Sequence, residues 1–150
     1  MIRPITPPDI PAVLTMLRAL VAEDKGTIAS TAETLTAAAF GPHPLLHGVI
    51  HPQGMALYYP DYSTHRGEPG LYMQDLYVSS PARGTGLARA LIATTLQHQS
   101  WGARYITVGV SPDNPRAAKF YAKCGFTFRG YEVMILQGPA LAVLTLDNPA

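Results

Sequence analysis

With 150 residues, 47% of them hydrophobic and 14% charged, the chain has the size and apolar content of one globular domain over 1–150, and global disorder is excluded. Eleven Lys and Arg against ten Asp and Glu leave a formal net charge of +1, so neither a nucleic-acid partner nor an anionic membrane surface is expected. The single cysteine, Cys124, cannot form an internal bridge, residues 1–10 hold no basic stretch followed by an apolar run, and no apolar run approaches the roughly 18 residues of a membrane span; together these predict a soluble cytoplasmic protein.

In chain order, residues 1–5 read as a short apolar strand. Thr6, Pro7, Pro8 and Asp9 then supply an N-cap, a proline at the first helical position and an acid three residues on. Ile10, Val13, Leu14, Leu17, Leu20 and Val21 share one face of the helix that follows, through about residue 22. Ser30-Thr31-Ala32-Glu33 reads as a second capping box, opening a shorter helix that stops near Gly41. Residues 45–50 and 55–59 form a predicted hairpin around Pro52 and Gly54, and 71–78 is the next strand. A loop over 79–86 leads to an amphipathic helix with Leu87, Leu91, Ile92, Thr95 and Leu96 on one side, ending near Gly102. A strand at 105–110, a helix capped by Asn114 and Pro115 and ended by Gly125, and strands at 126–135 and 141–146 complete the order βααβββαβαββ. This predicts an α/β (α+β) fold, a mixed sheet flanked by helices, with residues 148–150 as a short frayed end.

The stretch Arg83-Gly84-Thr85-Gly86-Leu87-Ala88 lies where a strand turns into a helix. Its glycines let the backbone approach a ligand, and the helix start with Arg83 favours a phosphate or pyrophosphate; a tight turn without a ligand reads equally well from these six residues. A dinucleotide fingerprint is excluded because Arg89 stands where a third glycine belongs and no acid follows before Asp113, and no Gly-Lys-Ser/Thr makes a P-loop. A second stretch, Asn114-Pro115-Arg116-Ala117-Ala118-Lys119-Phe120-Tyr121, continuing to Gly125-Phe126, places small residues on one stripe of a helix with a tyrosine two turns in. Ordinary core packing explains it as well as chemistry does.

In this order the two stretches resemble the GNAT superfamily of acyl-CoA-dependent N-acetyltransferases, and the likeness runs through nearly the whole chain. The resemblance implies a mostly antiparallel central sheet of about seven strands flanked by four helices. Phe40-Gly41, Met55-Ala56-Leu57-Tyr58-Tyr59, Tyr62-Ser63-Thr64 and the strand from Tyr72 to Val78 look more narrowly like the diamine (spermidine/spermine) acetyltransferase branch. The chain departs from that branch at Gln74, where polyamine acetylases carry a glutamate facing the substrate amine.

What the resemblance implies for the site is specific. Leu76, Tyr77 and Val78 offer backbone hydrogen bonds to the pantetheine arm of acetyl-CoA. Arg83 opens the loop, and Gly84, Thr85, Gly86, Leu87, Ala88 and Arg89 hold the pyrophosphate. Asn114, Pro115, Arg116 and Ala117 lie beside the cofactor, and Tyr121 is the acid that protonates departing CoA thiolate. Glu23 and Asp24 match a region of acidic substrate contacts, though a solvated helix end reads equally well. The acceptor is a small-molecule amine that must lose a proton, since an alkylammonium titrates near 10.4. Gln74 cannot take it. Asp75 is the nearest carboxylate, but strand alternation sends its side chain to the opposite face, so deprotonation through water is the expectation.

Three further features read as structural. His43, His47 and His51 have helical spacing for metal ligands, yet Pro42, Pro44 and Pro52 break the segment, so no metal is expected. Cys124 has no histidine nearby in sequence and reads as a packed thiol, while His65 and Arg66 form a loop charge cluster. The apolar strand at 141–146 suggests a homodimer. Other readings of the whole are an acyl-CoA sensor or partner module with little catalysis, and a protein or peptide acetylase.

Overall fold

A computed structural model describes residues 1–146, with side chains to residue 144; the end expected to fray at 148–150 lies outside the described residues. The chain divides into two compact units, Met1–Ala118 and Lys119–Ala150.

The first unit carries one sheet of five strands, β1 (Arg3–Pro4), β2 (His47–His51), β3 (Gly54–Ser63), β4 (Glu68–Val78) and β5 (Ile106–Val108), in that spatial order. All neighbours are antiparallel except β4 and β5, which run parallel, as a mixed α/β sheet allows. Helix α1 (Ile10–Glu23) follows a single 3-10 turn, where the Asp9 carboxylate accepts from the backbone N–H of Thr6 at 2.7 Å and from its hydroxyl at 2.9 Å. Helix α2 (Ala32–Phe40) is capped one residue later than its sequence suggests. Thr31, with extended backbone, accepts from the N–H of Thr34, and the Thr34 hydroxyl accepts in return from the N–H of Thr31, so Ser30 and Glu33 are not the reciprocal pair.

The sheet buries both faces. Ile10, Val13, Leu14 and Leu17 of α1 and Leu35 of α2 pack with Ile50, Met55 and Leu57 on one side. On the other, Leu91 of α3 (Leu87–His98) packs with Val49, Ala56, Tyr58, Leu71 and Met73. Trp101 closes the end of the second layer, its indole N–H donating to the carbonyl of Gly70 at 2.7 Å.

Helix α4 (Pro115–Cys124) begins at Asn114, whose side-chain oxygen accepts from the N–H of Ala117 at 3.1 Å, and Gly125 follows it with φ +102°. In the second unit, residues 126–135 form no strand and helix α5 (Gly138–Leu146) replaces the strand expected at 141–146. The five strands and five α-helices among the described residues therefore differ in count from the expected seven and four, within the same fold class. The reason is local. A strand needs a ladder partner for its backbone, and 126–135 has none among the described residues. The continuous apolar run of 140–146 carries no period that separates strand from helix, and Gly138-Pro139 place a proline in the first helical turn ahead of Ala and Leu. The edge proposed for a homodimer is thus a helix, and the strand argument for it falls.

Candidate active site

The loop after β4 is built from turn chemistry. Ser80–Ala82 makes a 3-10 turn, and Gly84 (φ +78°) and Gly86 (φ +89°) adopt the left-handed backbone that side chains resist. A Cβ at either position meets nothing within 4 Å, so the surface over the two glycines is open. Gly86 is the N-cap of the 12-residue helix α3 and supplies no capping oxygen to its first turn. An open mouth, a helix N-terminus and bare backbone fit a pyrophosphate. Gly84, Thr85, Gly86, Leu87, Ala88 and Arg89 make up this turn and the start of α3.

Arg83 behaves otherwise. Its Nη2 donates to Glu23 Oε1 at the end of α1, and its Nε donates to the Val78 carbonyl at 3.2 Å. One residue expected at the cofactor and one expected at the substrate are therefore partners in an ion pair. Asp24 is the exposed C-cap of α1.

Strand β5 pairs with β4 only at Leu71, Tyr72 and Met73. Beyond Met73 the residues Asp75, Leu76, Tyr77 and Val78 pair on the β3 side alone and Gln74 pairs on neither, leaving the other edge of β4 without a ladder among the described residues. That edge is open to an extended ligand lying as a further strand. It starts at Gln74 and ends at the glycine loop.

At the head of this edge the β3–β4 ladder slips. Leu57 pairs with Asp75 and Tyr58 with Met73, so Gln74 is an extra residue, a β-bulge. Met73 packs with the α3-side core, while Tyr77 packs with the α1-side core, an inversion that strict alternation forbids. Asp75 thus shares the α1 side with its partner Leu57 and with Tyr59, and the Tyr59 hydroxyl reaches Gln74 Oε1 at 3.5 Å. The expectation that Gln74 and Asp75 point apart fails because it assumed an unbroken ladder. Tyr59 stacks on Tyr72 with ring centroids 5.2 Å apart. Burial raises the Tyr59 phenol above its ordinary range, and the charges of Tyr72, Asp61 and Asp75 add to the effect. Burial also pushes the Asp75 carboxyl up to about 6.

A neighbouring group escaped the sequence reading. The Tyr105 hydroxyl donates to Asp61 Oδ2 at 2.7 Å, and Arg66 lies 5.5 Å over the Tyr105 ring. No motif marks this pair, 44 residues apart.

In the second unit, Tyr121 contacts Phe120 and Phe126 edge-on at 5.4 and 5.2 Å, and its carbonyl accepts from the N–H of Phe126 at 3.0 Å. The three spaced histidines do not line a helix. His43 lies in a bend, His47 stacks on Tyr58 and meets Trp101 at a tilt, and His51 accepts from the N–H of Gln53 at 3.0 Å. Burial lowers the His47 imidazole. Arg66 approaches Glu68 at 4.0 Å, and Cys124 ends α4 partly buried.

A mixed sheet opened beside β4, with a glycine-capped helix at the foot of the opening, defines an α/β protein with one strand edge free of a ladder among the described residues. The model of the acetyltransferase (GNAT) family matches residues 16–126, and the chain belongs to that family. Curated relatives include uncharacterized N-acetyltransferases of Mycobacterium tuberculosis and Mycobacterium bovis, 41% identical over 59 residues, or 39% of this chain. The chain covers 38% of the length of those relatives. The thialysine N-epsilon-acetyltransferase of Bos taurus is 28% identical over 141 residues, covering 83% of this chain and 82% of that protein. Among solved structures, an integron cassette protein from the mobile metagenome of V. cholerae has a TM-score of 0.74 at 23% identity over 96% of both chains. An aminoglycoside acetyltransferase from an uncultured soil metagenomic sample, in complex with sisomicin, has a TM-score of 0.70 at 18% identity, covering 92% of this chain and 95% of that one.

Proposed function

We propose that the chain is an acetyl-CoA-dependent N-acetyltransferase that passes acetyl directly to a primary amine of a small molecule in a ternary complex. Residues 1–150 are read as a single acetyltransferase domain. The observation that carries it is the continuity of the open β4 edge with the glycine-capped start of α3. From Gln74 to Val78 the edge runs roughly 13 Å at about 3.3 Å per residue, a length suited to an extended arm between a diphosphate and a thioester. Acetyl-CoA supplies the activated acyl group. Gly84, Gly86 and the first turn of α3 bind the phosphates, the backbone of Leu76, Tyr77 and Val78 orients the arm, and Asn114, Pro115, Arg116 and Ala117 flank it. Tyr121 donates the proton that the leaving thiolate takes. Glu23 is tied to Arg83, so acidic attraction of a cationic acceptor falls to Asp24, Asp61 and Asp75. The bovine relative's name supports a lysine-like amine, and the name of the structural neighbour supports a polycationic one.

Thiol release tests the reading. Purified protein with acetyl-CoA and a panel of polyamines, diamines, amino acids, lysine analogues and aminoglycosides is expected to liberate CoA above the no-acceptor rate with at least one class. The amide at Gln74, in place of a carboxylate, favours one other reading, an acyl-CoA sensor. Tight acetyl-CoA binding in calorimetry with no turnover on any amine selects it.

A further inference from the structure

Resting on the acetyltransferase reading, we propose that Glu23 competes with the cofactor phosphates for Arg83, and that acetyl-CoA, by taking the guanidinium, unties the end of α1. Arg83 stands at the foot of the open edge. The N–H of Ser79 donates to the Gln53 carbonyl at 2.8 Å, and successive residues of a strand turn their backbone groups to opposite edges. Val78 therefore turns its N–H and C=O away from β3, to the edge that β5 leaves free. Arg83 Nε donates to that carbonyl at 3.2 Å, which holds the guanidinium where the free edge meets the glycine loop.

Glu23 takes Nη2 of the same group, while Nη1 has no protein partner among the described residues. A carboxylate thus neutralises the cation that adjoins Gly84 and the start of α3. A diphosphate arriving there is a second anion drawn to the same guanidinium, with more charge than Glu23 and with the helix N-terminus behind it. Glu23 and Arg83 are both partly solvated, so their pair is weak and exchanges readily.

The other end of the pair is a helix terminus with little to hold it. Helix α1 closes in a Schellman motif, the Gly26 N–H donating to the Val21 carbonyl at 2.9 Å and the Lys25 N–H to that of Ala22 at 3.3 Å. The motif puts Lys25 at φ +56°, the only non-glycine residue with positive φ among those described, in a conformation that a side chain resists. Residues 22–27 are exposed, and Ile28 is the next side chain packed on the core. Among the described residues, the Glu23 carboxylate makes the only side-chain hydrogen bond or ion pair between 22–27 and the rest of the fold. Its release loosens this segment, and by linkage whatever keeps Glu23 on Arg83 weakens acetyl-CoA binding. Asp24, assigned above to the cationic acceptor, lies on the segment, so the cofactor reaches the acceptor side of the site through it.

Calorimetry of acetyl-CoA binding to the full chain tests the competition. Glu23→Gln is expected to bind acetyl-CoA about threefold more tightly than wild type, and the gain is expected to vanish when the same change is made on Arg83→Ala. Hydrogen–deuterium exchange reads the release. Amides of residues 22–31 are expected to exchange about threefold faster in wild type saturated with acetyl-CoA, and to exchange at that faster rate in Glu23→Gln without cofactor. Three results overturn the proposal and leave the acetyltransferase reading intact: a Glu23→Gln protein that binds acetyl-CoA no more tightly than wild type, a gain that persists on Arg83→Ala, or 22–31 amides that acetyl-CoA slows or leaves unchanged. A wild type that neither binds acetyl-CoA nor releases CoA overturns both.

Discussion

Arg83 and Glu23, sixty residues apart, form an ion pair that ties the turn before α3 to the end of α1. Both side chains are partly solvated, 31% and 42% exposed, so the pair contributes to stability no more than about 1 kcal/mol. Its effect is positional. Arg83 also holds the Val78 carbonyl, so the guanidinium links the last residue of β4 to α1 across the start of the glycine loop.

Glu23→Gln should therefore lower the melting temperature by no more than about 4 °C. Arg83→Ala, which removes both bonds and a cation beside the phosphate loop, should weaken acetyl-CoA binding about 10-fold or more in calorimetry. If Arg83→Ala binds acetyl-CoA as wild type does, the loop holds its shape without this residue and Arg83 has no part in cofactor binding.

Gly86 and Gly102 are a matched pair for the next experiment. Both have positive φ, +89° and +74°, and a Cβ at either meets nothing within 4 Å. Alanine at each should cost about 1 to 2 kcal/mol of backbone strain, seen as similar shifts in the urea midpoint. Only Gly86→Ala puts a methyl at the phosphate mouth, so only that variant should lose acetyl-CoA affinity. Equal affinities for the two variants would falsify the placement of the pyrophosphate.

Tyr121→Phe should slow turnover by about 100-fold while leaving the acetyl-CoA dissociation constant within about twofold, because a general acid acts on the leaving group and not on the bound ground state. Stopped-flow thiol detection and calorimetry on the same preparation separate the two quantities. Equal turnover with and without the hydroxyl removes Tyr121 from the chemistry.

The raised Asp75 carboxyl makes a stability prediction independent of any substrate. Its folded value of about 6 lies above the roughly 3.9 of an unfolded aspartate, so between these pH values the folded chain binds more protons than the unfolded one. Stability from this group is therefore full below about pH 4 and is lost as the pH rises through 6, on the order of 3 kcal/mol before solvent screening reduces it. Asp75→Asn should melt above wild type at pH 7.5 and together with it near pH 4. A variant that melts below wild type at pH 7.5 shows that the ionised carboxylate is stabilised by a partner rather than penalised by burial.

Much of this molecule was legible from local chemistry. The α1 face of Ile10, Val13, Leu14 and Leu17, the hairpin of β2 and β3, the glycine turn into α3 and the Asn114 cap of α4 each follow from rules spanning a few residues, and each is in the fold. So is the family, because the glycine turn and the Asn114 to Phe126 stretch are contiguous in sequence. Where two distant segments had to meet, the chain alone was silent. The bulge at Gln74 exists only in the registration of β4 on β3, and it reversed the expected direction of Asp75. The Arg83–Glu23 and Tyr105–Asp61 pairs depend on how α1, β3 and β5 lie around β4. At 141–146 an apolar run without a period read as a strand and folded as part of helix α5. Capping, periodicity and turns are decided within a few residues of backbone, whereas register and side-chain partnership are decided by which surfaces the collapsed chain brings into contact.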